Sequence, residues 1–127
     1  MTLEIFAFCE SAYVSGRRMT VCKIQDILIG DSTPMKVPEC AVVYRIRFES
    51  GELVKHKIRL EIRYQDGNLL GKPYSSEITP ERRTDYNTFS GIVMMDGMIF
   101  PEFGEYSVNF YVDDIRLGFL SLHCQQT

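Results

Sequence analysis

The stretch EFGEYSVNFYVDDIRLGF, residues 102–119, decides the fold, because it holds two strands, the turn between them and the corner before them. Apolar residues recur at every second position, at 106, 108, 110 and 112 and again at 115, 117 and 119. This alternation is typical of β-strands with one buried and one exposed face. A two-residue turn at Asp113-Asp114 predicts that apolar side chains face one another across the hairpin, in the pairs Val112/Ile115, Phe110/Leu117 and Val108/Phe119.

The residues just before this hairpin have the arrangement of a tyrosine corner. Gly104 and Tyr106 form an x-G-x-Y sequence, found where immunoglobulin-like sandwiches turn into their penultimate strand. The tyrosine hydroxyl bonds back to upstream backbone, and the glycine relieves the backbone at the corner. Val108 stands where antibody domains place a cysteine, and the chain contains no Trp. The pattern therefore predicts the sandwich architecture without an antibody-type domain.

The same alternation recurs along the rest of the chain. It is longest over residues 42–48 and 54–64, and weaker strands are predicted over 2–14, 19–29, 88–95 and 98–100. About seven strands without intervening helices predict an all-β fold, an antiparallel two-sheet β-sandwich of immunoglobulin-like type. Since no linker or repeat divides the chain, we place residues 1–127 in a single domain.

Two segments rich in proline and polar residues are predicted as loops. They run from Gly30 to Glu39 and from Gly71 to Asn87. Proline has no backbone N–H for a sheet ladder, so these segments are not expected to contain strands. The only helical periodicity is a single turn near Pro80 to Asp85.

Composition favours an ordinary soluble protein. The chain carries a net charge of −3, with 45% hydrophobic and 24% charged residues, which disfavours disorder. Its apolar runs are far shorter than the roughly 18–20 residues that span a bilayer, and its N-terminus lacks the basic start of a secretory signal. We therefore expect a cytoplasmic protein whose four cysteines are reduced.

The first predicted hairpin, around Ser15 to Arg18, contains Cys9 and Cys22. A two-residue turn at Ser15-Gly16 sets these cysteines opposite each other, whereas a four-residue turn sets Cys9 against Ile24. The second register also pairs Val14 with Met19 and Glu10 with Lys23. We favour that register and predict no disulfide.

The side chains that are chemically capable of catalysis form no convincing site. Cys9 and Ser11 face one side of their strand and Glu10 the other, and a cysteine nucleophile needs a nearby base. His56 is expected to be a packed residue near a strand end with its ring nitrogens satisfied. Acidic residues lie in predicted turns, and neither cysteine nor histidine spacing indicates a metal site. We expect no enzyme, metal or cofactor.

Three segments together resemble an uncharacterised family of small bacterial proteins: FCESAYVSGRRMTV (residues 8–21), RYQDG (63–67) and FPEFGEYSVNFYVDD (100–114). The resemblance implies a single-domain β-sandwich of the bacterial cytoplasm, and it brings no activity or catalytic residue with it. One departure is visible. The final hairpin usually carries Asp-Gly at its turn, where this chain has Asp113-Asp114.

Positive charge is concentrated in residues 42–64, which hold six basic and three acidic residues. Pairing strand 42–48 with strand 54–64 places basic side chains directly opposite one another, which destabilises a sheet. Three arrangements offset this repulsion: splaying into water, acidic residues on a neighbouring strand, or a bound anionic partner. The residues of this predicted basic face are Arg45, Arg47, Lys55, Lys57 and Arg59.

The sequence leaves three functional hypotheses. The first is a non-enzymatic module that binds another protein or itself through a sheet face or edge. The second is an anion or nucleic-acid binder that uses the basic face, although a pI near 5.4 and the lack of interleaved aromatic residues disfavour nucleic acid. The third is an enzyme that uses Cys9. A membrane partner is not expected.

Overall fold

The structure, a computed structural model, describes residues 1–83 and 86–127. These residues form an all-β fold with curled sheets. In chain order the strands are β1 (Thr2–Ser15), β2 (Arg18–Ile24), β3 (Ile27–Gly30), β4 (Met35–Val37), β5 (Ala41–Phe48), β6 (His56–Tyr64), β7 (Tyr74–Ile78), β8 (Asn87–Met94), β9 (Met98–Phe100), β10 (Gly104–Val112) and β11 (Ile115–Gln126).

The strands form three sheets. A four-stranded sheet has the order β2-β1-β5-β8, a five-stranded sheet has the order β3-β11-β10-β6-β7, and β4 pairs with β9. A short 3-10 helix, Ser50–Glu52, lies between β5 and β6. Within the described residues there are thus eleven strands rather than about seven. No helix in this part of the chain is long and apolar enough to cross a membrane.

The two larger sheets share one hydrophobic core. Phe8, Val42 and Ile46 contribute from the four-stranded sheet, and Val108 and Phe110 contribute from the five-stranded sheet. All five side chains are almost fully buried. Full burial of a large apolar side chain stabilises a fold by about 1.5–3 kcal/mol, so this cluster holds the sheets together.

The four-stranded sheet is also apolar on its other face. Cys9, Ala41 and Val43 are fully buried there, although Phe8 and Val42 beside them face the main core. Side chains of the β1–β2 hairpin, including Met19 and Val21, pack against this second cluster together with Ile92 of β8. The sheet therefore curls, and the hairpin covers part of its outer face.

The tyrosine corner is confirmed. The Tyr106 hydroxyl donates a hydrogen bond of 2.8 Å to the carbonyl oxygen of Glu102 and accepts one of 3.2 Å from the Glu102 N–H. Gly104 has φ +130°, a conformation that side-chain-bearing residues rarely adopt. Val108 is fully buried, as predicted for the position that carries cysteine in antibody domains.

The preferred register of the first hairpin is also confirmed. Cys9 lies opposite Ile24, Ser11 opposite Cys22, and Val14 opposite Met19. Lys23 has φ +58° and forms an ion pair of 3.4 Å with Glu10 across the hairpin. All four cysteines are free.

The register of the last hairpin is only partly right. Val112 pairs with Ile115 as predicted, but Phe110 pairs with Gly118 and Val108 with Leu120. Leu117 is an extra residue on β11, a β-bulge that shifts every later pair by one. In this shifted register Gly118 lies where a Cβ would be 2.6 Å from the Leu3 side chain, so a residue without a side chain fits there.

Four predicted segments need correction. Residues 19–29 form two strands in different sheets, because the chain crosses between the sheets at Gln25 and Asp26. The first predicted loop contains β4, and the second contains β7. The prolines in these loops lie beside the two strands and not within them, so they do not prevent strand formation. No helical turn occurs over residues 80–83, and the rest of that predicted turn lies outside the described residues.

Candidate functional site

The five residues of the predicted basic face do not share one face. The predicted pairing of residues 42–48 with 54–64 is wrong, because β5 pairs with β1 and β8, whereas β6 pairs with β10 and β7. Arg45 and Arg47 therefore lie on the four-stranded sheet, and Lys57 and Arg59 on the five-stranded one. The like charges that prompted the prediction are not opposed.

Basic residues on and beside β6 are matched by acidic neighbours within the chain. Lys55 forms an ion pair of 3.3 Å with Glu77 of β7, and Arg59 one of 3.6 Å with Asp114. The Arg59 guanidinium also lies 4.1 Å from the centre of the Tyr111 ring. Of the three arrangements that offset the repulsion between basic residues, the structure therefore has the one with acidic residues on neighbouring segments. These basic residues do not need a bound anion to offset their charge.

Arg45 and Arg47 share one carboxylate, that of Glu4 on β1. The Arg45 Nε lies 3.1 Å from Glu4 Oε1, and the Arg47 Nε 3.5 Å from Glu4 Oε2. The Tyr86 hydroxyl donates a 2.6 Å hydrogen bond to Glu4, and this bond together with the two guanidinium groups lowers the pKa of that carboxyl. Glu4 is therefore ionised, and the two arginines keep a net charge of +1.

A groove of about 340 Å³ lies beside these arginines, against β8. We call it the edge groove. Four consecutive β8 residues line it, which places it along the edge of that strand rather than on one face. Its opposite walls come from the β1–β2 hairpin and from the segment after β7. The lining residues are Val14, Gly16, Arg17, Met19, Thr79, Glu81, Arg83, Tyr86, Asn87, Thr88, Phe89 and Ser90.

The outer edge of β8 is open. Among the described residues β8 pairs only with β5, and no other backbone hydrogen bond reaches residues 88–94. Its sequence, NTFSGIVM, contains no charged residue and no proline over eight residues. Proteins usually protect edge strands with charges, prolines or short length.

The outermost strands at the other ends of the two larger sheets carry such protection. β2 contains Arg18 and Lys23, β3 is only four residues long, and β7 contains Glu77. β8 is therefore the edge best suited to receive another strand. Sequence reasoning predicted a strand at 88–95 but could not show that it is an edge, because alternation does not identify a strand's neighbours.

Charged residues give the edge groove a positive character. Arg45 and Arg47 lie opposite Ser90 and Thr88 in the β5–β8 ladder, so their side chains share a sheet face with these lining residues. Arg17 lies on the hairpin wall of the groove. Arg83 lines it as well and forms an exposed ion pair of 3.5 Å with Glu81.

His56 is a structural residue, as predicted. It is 5% exposed, its ring stacks 5.1 Å from Phe48, and both ring nitrogens have partners. Nδ1 lies 2.6 Å from Asp113 Oδ2, and Nε2 lies 2.7 Å from the Glu52 carbonyl. Burial alone would lower the pKa of this imidazole, but the bonds to Asp113 and Glu52 outweigh it and raise the pKa above 6.5. A buried imidazole with both nitrogens engaged has no free nitrogen to act as a base.

Cys9 is poorly suited to nucleophilic chemistry. It is fully buried, and its thiol lies 3.6 Å from the Ala41 carbonyl. Burial is the largest cause that raises the pKa of this thiol, whereas a reactive cysteine needs a lowered pKa. Neither His56 nor His123 hydrogen-bonds to it, since their partners are Asp113, Glu52 and Glu105.

No group of three or more metal-ligating side chains occurs within residues 1–83 and 86–127. The acidic turns serve the local backbone instead. Asp66 accepts a hydrogen bond from the Asn68 N–H at 2.9 Å, and Asp113 accepts one from the Lys57 N–H at 2.9 Å. Within the described residues, the candidate site is therefore the edge groove together with the unpaired edge of β8.

The chain matches the model of a known sequence family over most of its length. No curated protein matches the chain. The sequence model of DUF6941, a family of unknown function, matches residues 4–125 of the 127 residues. This match confirms the resemblance to an uncharacterised single-domain family. The chain belongs to DUF6941.

Proposed function

We propose that this protein is a non-enzymatic interaction module that binds a partner by strand addition at β8. The open, uncharged edge of β8 is the observation that carries the proposal. In strand addition an extended segment pairs its backbone with a sheet edge, and pockets for alternate side chains give specificity. The edge groove supplies such pockets along Asn87 to Ser90.

The energetics favour this mode. Each additional backbone hydrogen bond contributes only about 0.5–1.5 kcal/mol, so a binding edge must offer several in a row. β8 is eight residues long and is held in place by β5 along its whole length. A preformed strand also requires no ordering of its own backbone when a partner binds.

Site-directed photo-crosslinking tests this function. A photoreactive amino acid at Thr88 or at Met94, both exposed on β8, should capture a partner from a native cell lysate. The same amino acid at Ser121 is the control, because Ser121 is exposed on β11 of the five-stranded sheet and does not line the edge groove. The captured protein is then purified and mixed with the full chain for amide hydrogen exchange.

Protection of outward-facing β8 amides by this partner supports strand addition. The double variant Thr88→Lys/Met94→Lys should weaken binding, because lysines on an edge discourage pairing. Protection confined to another sheet, or equal capture from Ser121, contradicts the proposal.

We further infer that the fold is a two-sheet immunoglobulin-like sandwich with additional short strands. The order β11-β10-β6-β7 corresponds to strands G, F, C and C′ of variable-type domains, and β1-β5-β8 to strands A, B and E. The tyrosine corner at the start of β10 supports the same correspondence. An experimental structure in which the two larger sheets do not face each other would contradict it.

We also propose that the protein works in the reducing cytoplasm. Its cysteines support this: Cys9, Cys40 and Cys124 are buried and free, and Cys9 lies opposite Ile24 rather than Cys22. Fractionation of cells that express the native chain tests the compartment, and recovery from an extracytoplasmic fraction contradicts it.

A further inference from the structure

We propose that the segment added to β8 is an extended peptide in which acidic side chains alternate with apolar ones. This inference rests on the proposed function and names the chemistry of the partner. It follows from the two faces of β8, from the arginines around the edge groove, and from the repulsion that a second copy of the chain would meet.

The two faces of β8 differ. Phe89 and Val93 belong to the main core side, where Phe89 stacks on Tyr44 at 6.2 Å. Thr88 and Ser90 face the opposite side, in line with Arg47 and Arg45. A strand that pairs with β8 continues both faces, because side chains of adjacent strands lie in register on each side of a sheet. Its alternate residues therefore meet an apolar side and an arginine-bearing side.

Four arginines surround the arginine-bearing side: Arg45, Arg47, Arg17 and Arg83. Among the described residues they face two carboxylates, those of Glu4 and Glu81. The charges of these described side chains sum to +2, in a chain whose overall net charge is −3. Arginine is well suited to recognise carboxylates because its guanidinium can donate two parallel hydrogen bonds.

Glu4 does not satisfy every N–H donor of Arg47. The Arg47 Nε is buried and has no hydrogen-bond partner, since the 3.5 Å contact to Glu4 is an ion pair without hydrogen-bond geometry. A new strand beside β8 would lie two strand spacings from β5, which is about 10 Å. An arginine that extends from β5 and an acidic side chain that extends from the new strand can together bridge this distance. A second carboxylate would relieve the sharing of Glu4 between Arg45 and Arg47.

A second copy of the chain fits this site less well. Pairing β8 with β8 of another copy brings two arginine-rich sides together, and like charges across a sheet destabilise it. A nucleic acid lacks the peptide N–H and C=O groups that pair with a strand edge. A partner polypeptide with acidic side chains satisfies both the edge and the charge.

Synthetic peptides of nine residues, capped at both ends, test the inference against the full chain. One alternates Asp and Val, a second replaces each Asp with Asn, and a third replaces each Asp with Lys. Binding is measured by fluorescence anisotropy at low and high salt, and hydrogen exchange locates it. We expect the Asp peptide to bind at least about tenfold more tightly than the Asn peptide, with weaker binding at high salt.

Two variants with equal charge change provide the control. Arg17→Glu/Arg83→Glu should weaken binding of the Asp peptide by about tenfold or more. Lys72→Glu/Arg116→Glu changes two exposed residues outside the edge groove and should leave the affinity within about twofold.

The outcomes separate the two proposals. Equal binding of Asp and Asn peptides with protection of β8 amides overturns the acidic partner and leaves strand addition standing. Failure of every peptide to protect β8 overturns both. Tighter binding of the Lys peptide, competition by single-stranded DNA for the same residues, or a β8-mediated dimer in sedimentation also overturns the acidic partner.

Discussion

His56 illustrates how a polar residue on the apolar face of a strand becomes part of the core. Its position in the alternation of residues 54–64 predicts burial, and the structure confirms it. The sequence could not identify its partner, because Asp113 lies 57 residues away in a turn. Asp113 thereby joins the β10–β11 turn to the start of β6 through two hydrogen bonds.

This pair should give the stability of the protein a defined pH dependence. The pKa of His56 is raised above 6.5, so its contribution is complete below pH 6.5 and is lost as pH rises through the folded value. The pKa of Asp113 is lowered below 3.8, first by the Lys57 N–H and then by His56, so its contribution is present above pH 3.8 and is lost on further acidification. The pair therefore stabilises most between these limits.

Urea unfolding of wild type and Asp113→Asn from acidic to alkaline pH checks this expectation. Asparagine tolerates the same backbone conformation but removes the charge. We expect the largest difference in unfolding free energy between the two proteins at about pH 4–6.5 and a decline as the pH rises beyond 6.5. A difference that does not change with pH contradicts the assignment.

Gly91 is a second residue whose role only the structure reveals. A Cβ at this position would lie 2.2 Å from the ring of Tyr44, its partner across the β5–β8 ladder. Tyr44 is 4% exposed and its ring centre lies 4.7 Å from that of Phe110, so the ring has little room to move.

We therefore expect Gly91→Ala to destabilise the protein by about 1–3 kcal/mol through overpacking. Gly51→Ala is the matched control, because nothing lies within 4 Å of a Cβ there. Thermal or urea unfolding measures both variants. In a Tyr44→Leu background, Gly91→Ala should lower the free energy of unfolding by less than it does in the wild type. An equal loss in both backgrounds would mean that contact with the Tyr44 ring is not the cause of the destabilisation.

At the scale of elements, the sequence predicted where most strands lie but not which strands are neighbours. Alternation over residues 42–48 and 54–64 identified the buried face of each strand. It could not show that the connection through Ser50–Glu52 passes from one sheet to the other, which separates Arg45 from Lys57. Consequently Arg45 and Arg47 were predicted to lie opposite the basic residues of strand 54–64, whereas they lie beside β1 and β8. The edge groove depends on tertiary curling and carried no local signal.

Local turn chemistry was more informative. Asp113 and Asp114 have φ of 51° and 65°, the left-handed conformations of a two-residue turn that matches the twist of the strands. The Asp-Asp departure from Asp-Gly is therefore accommodated. The two aspartates differ in their contacts, because Asp113 bonds to His56 and Lys57 whereas Asp114 has only a 3.6 Å ion pair with Arg59.

Replacing each aspartate by glycine should thus have opposite effects. Asp114→Gly removes left-handed strain and an exposed ion pair, and should stabilise the hairpin by about 0.5–1 kcal/mol. Asp113→Gly relieves the same strain but removes the acceptor for a buried imidazole, and should destabilise by about 1–3 kcal/mol. Urea unfolding of the two variants at one pH measures the difference. Equal effects contradict the role assigned to Asp113.

At the scale of the whole molecule, most arginines are grouped around one sheet, whereas the core residues come from every sheet. Six of the nine arginines, at positions 17, 18, 45, 47, 82 and 83, lie on β2, on β5 or in the two segments that wall the edge groove. The core, in contrast, draws on all three sheets. The proposed binding side thus centres on the four-stranded sheet, whereas the core draws its residues from all three sheets.

A shared core predicts that the sheets unfold together as one domain. Cys9 and Cys124 report on this, because they are almost fully buried in the four-stranded and the five-stranded sheet, respectively. Burial raises the pKa of Cys124 to about 11 and also raises that of Cys9, so neither thiol should react in the folded state. Pulsed alkylation across a urea titration, read by mass spectrometry in a Cys22→Ser background, follows each thiol separately.

We expect both thiols to become reactive at the urea midpoint given by circular dichroism. Val108→Ala, a core change on β10 that should cost about 2 kcal/mol, should lower both midpoints equally. The opposite result has a specific structural meaning. Cys9 lies in the smaller cluster covered by the β1–β2 hairpin, so its earlier exposure would mean that the hairpin opens on its own. The wall of the edge groove that carries Arg17 would then be an independently folding unit, and the single-domain prediction would be wrong.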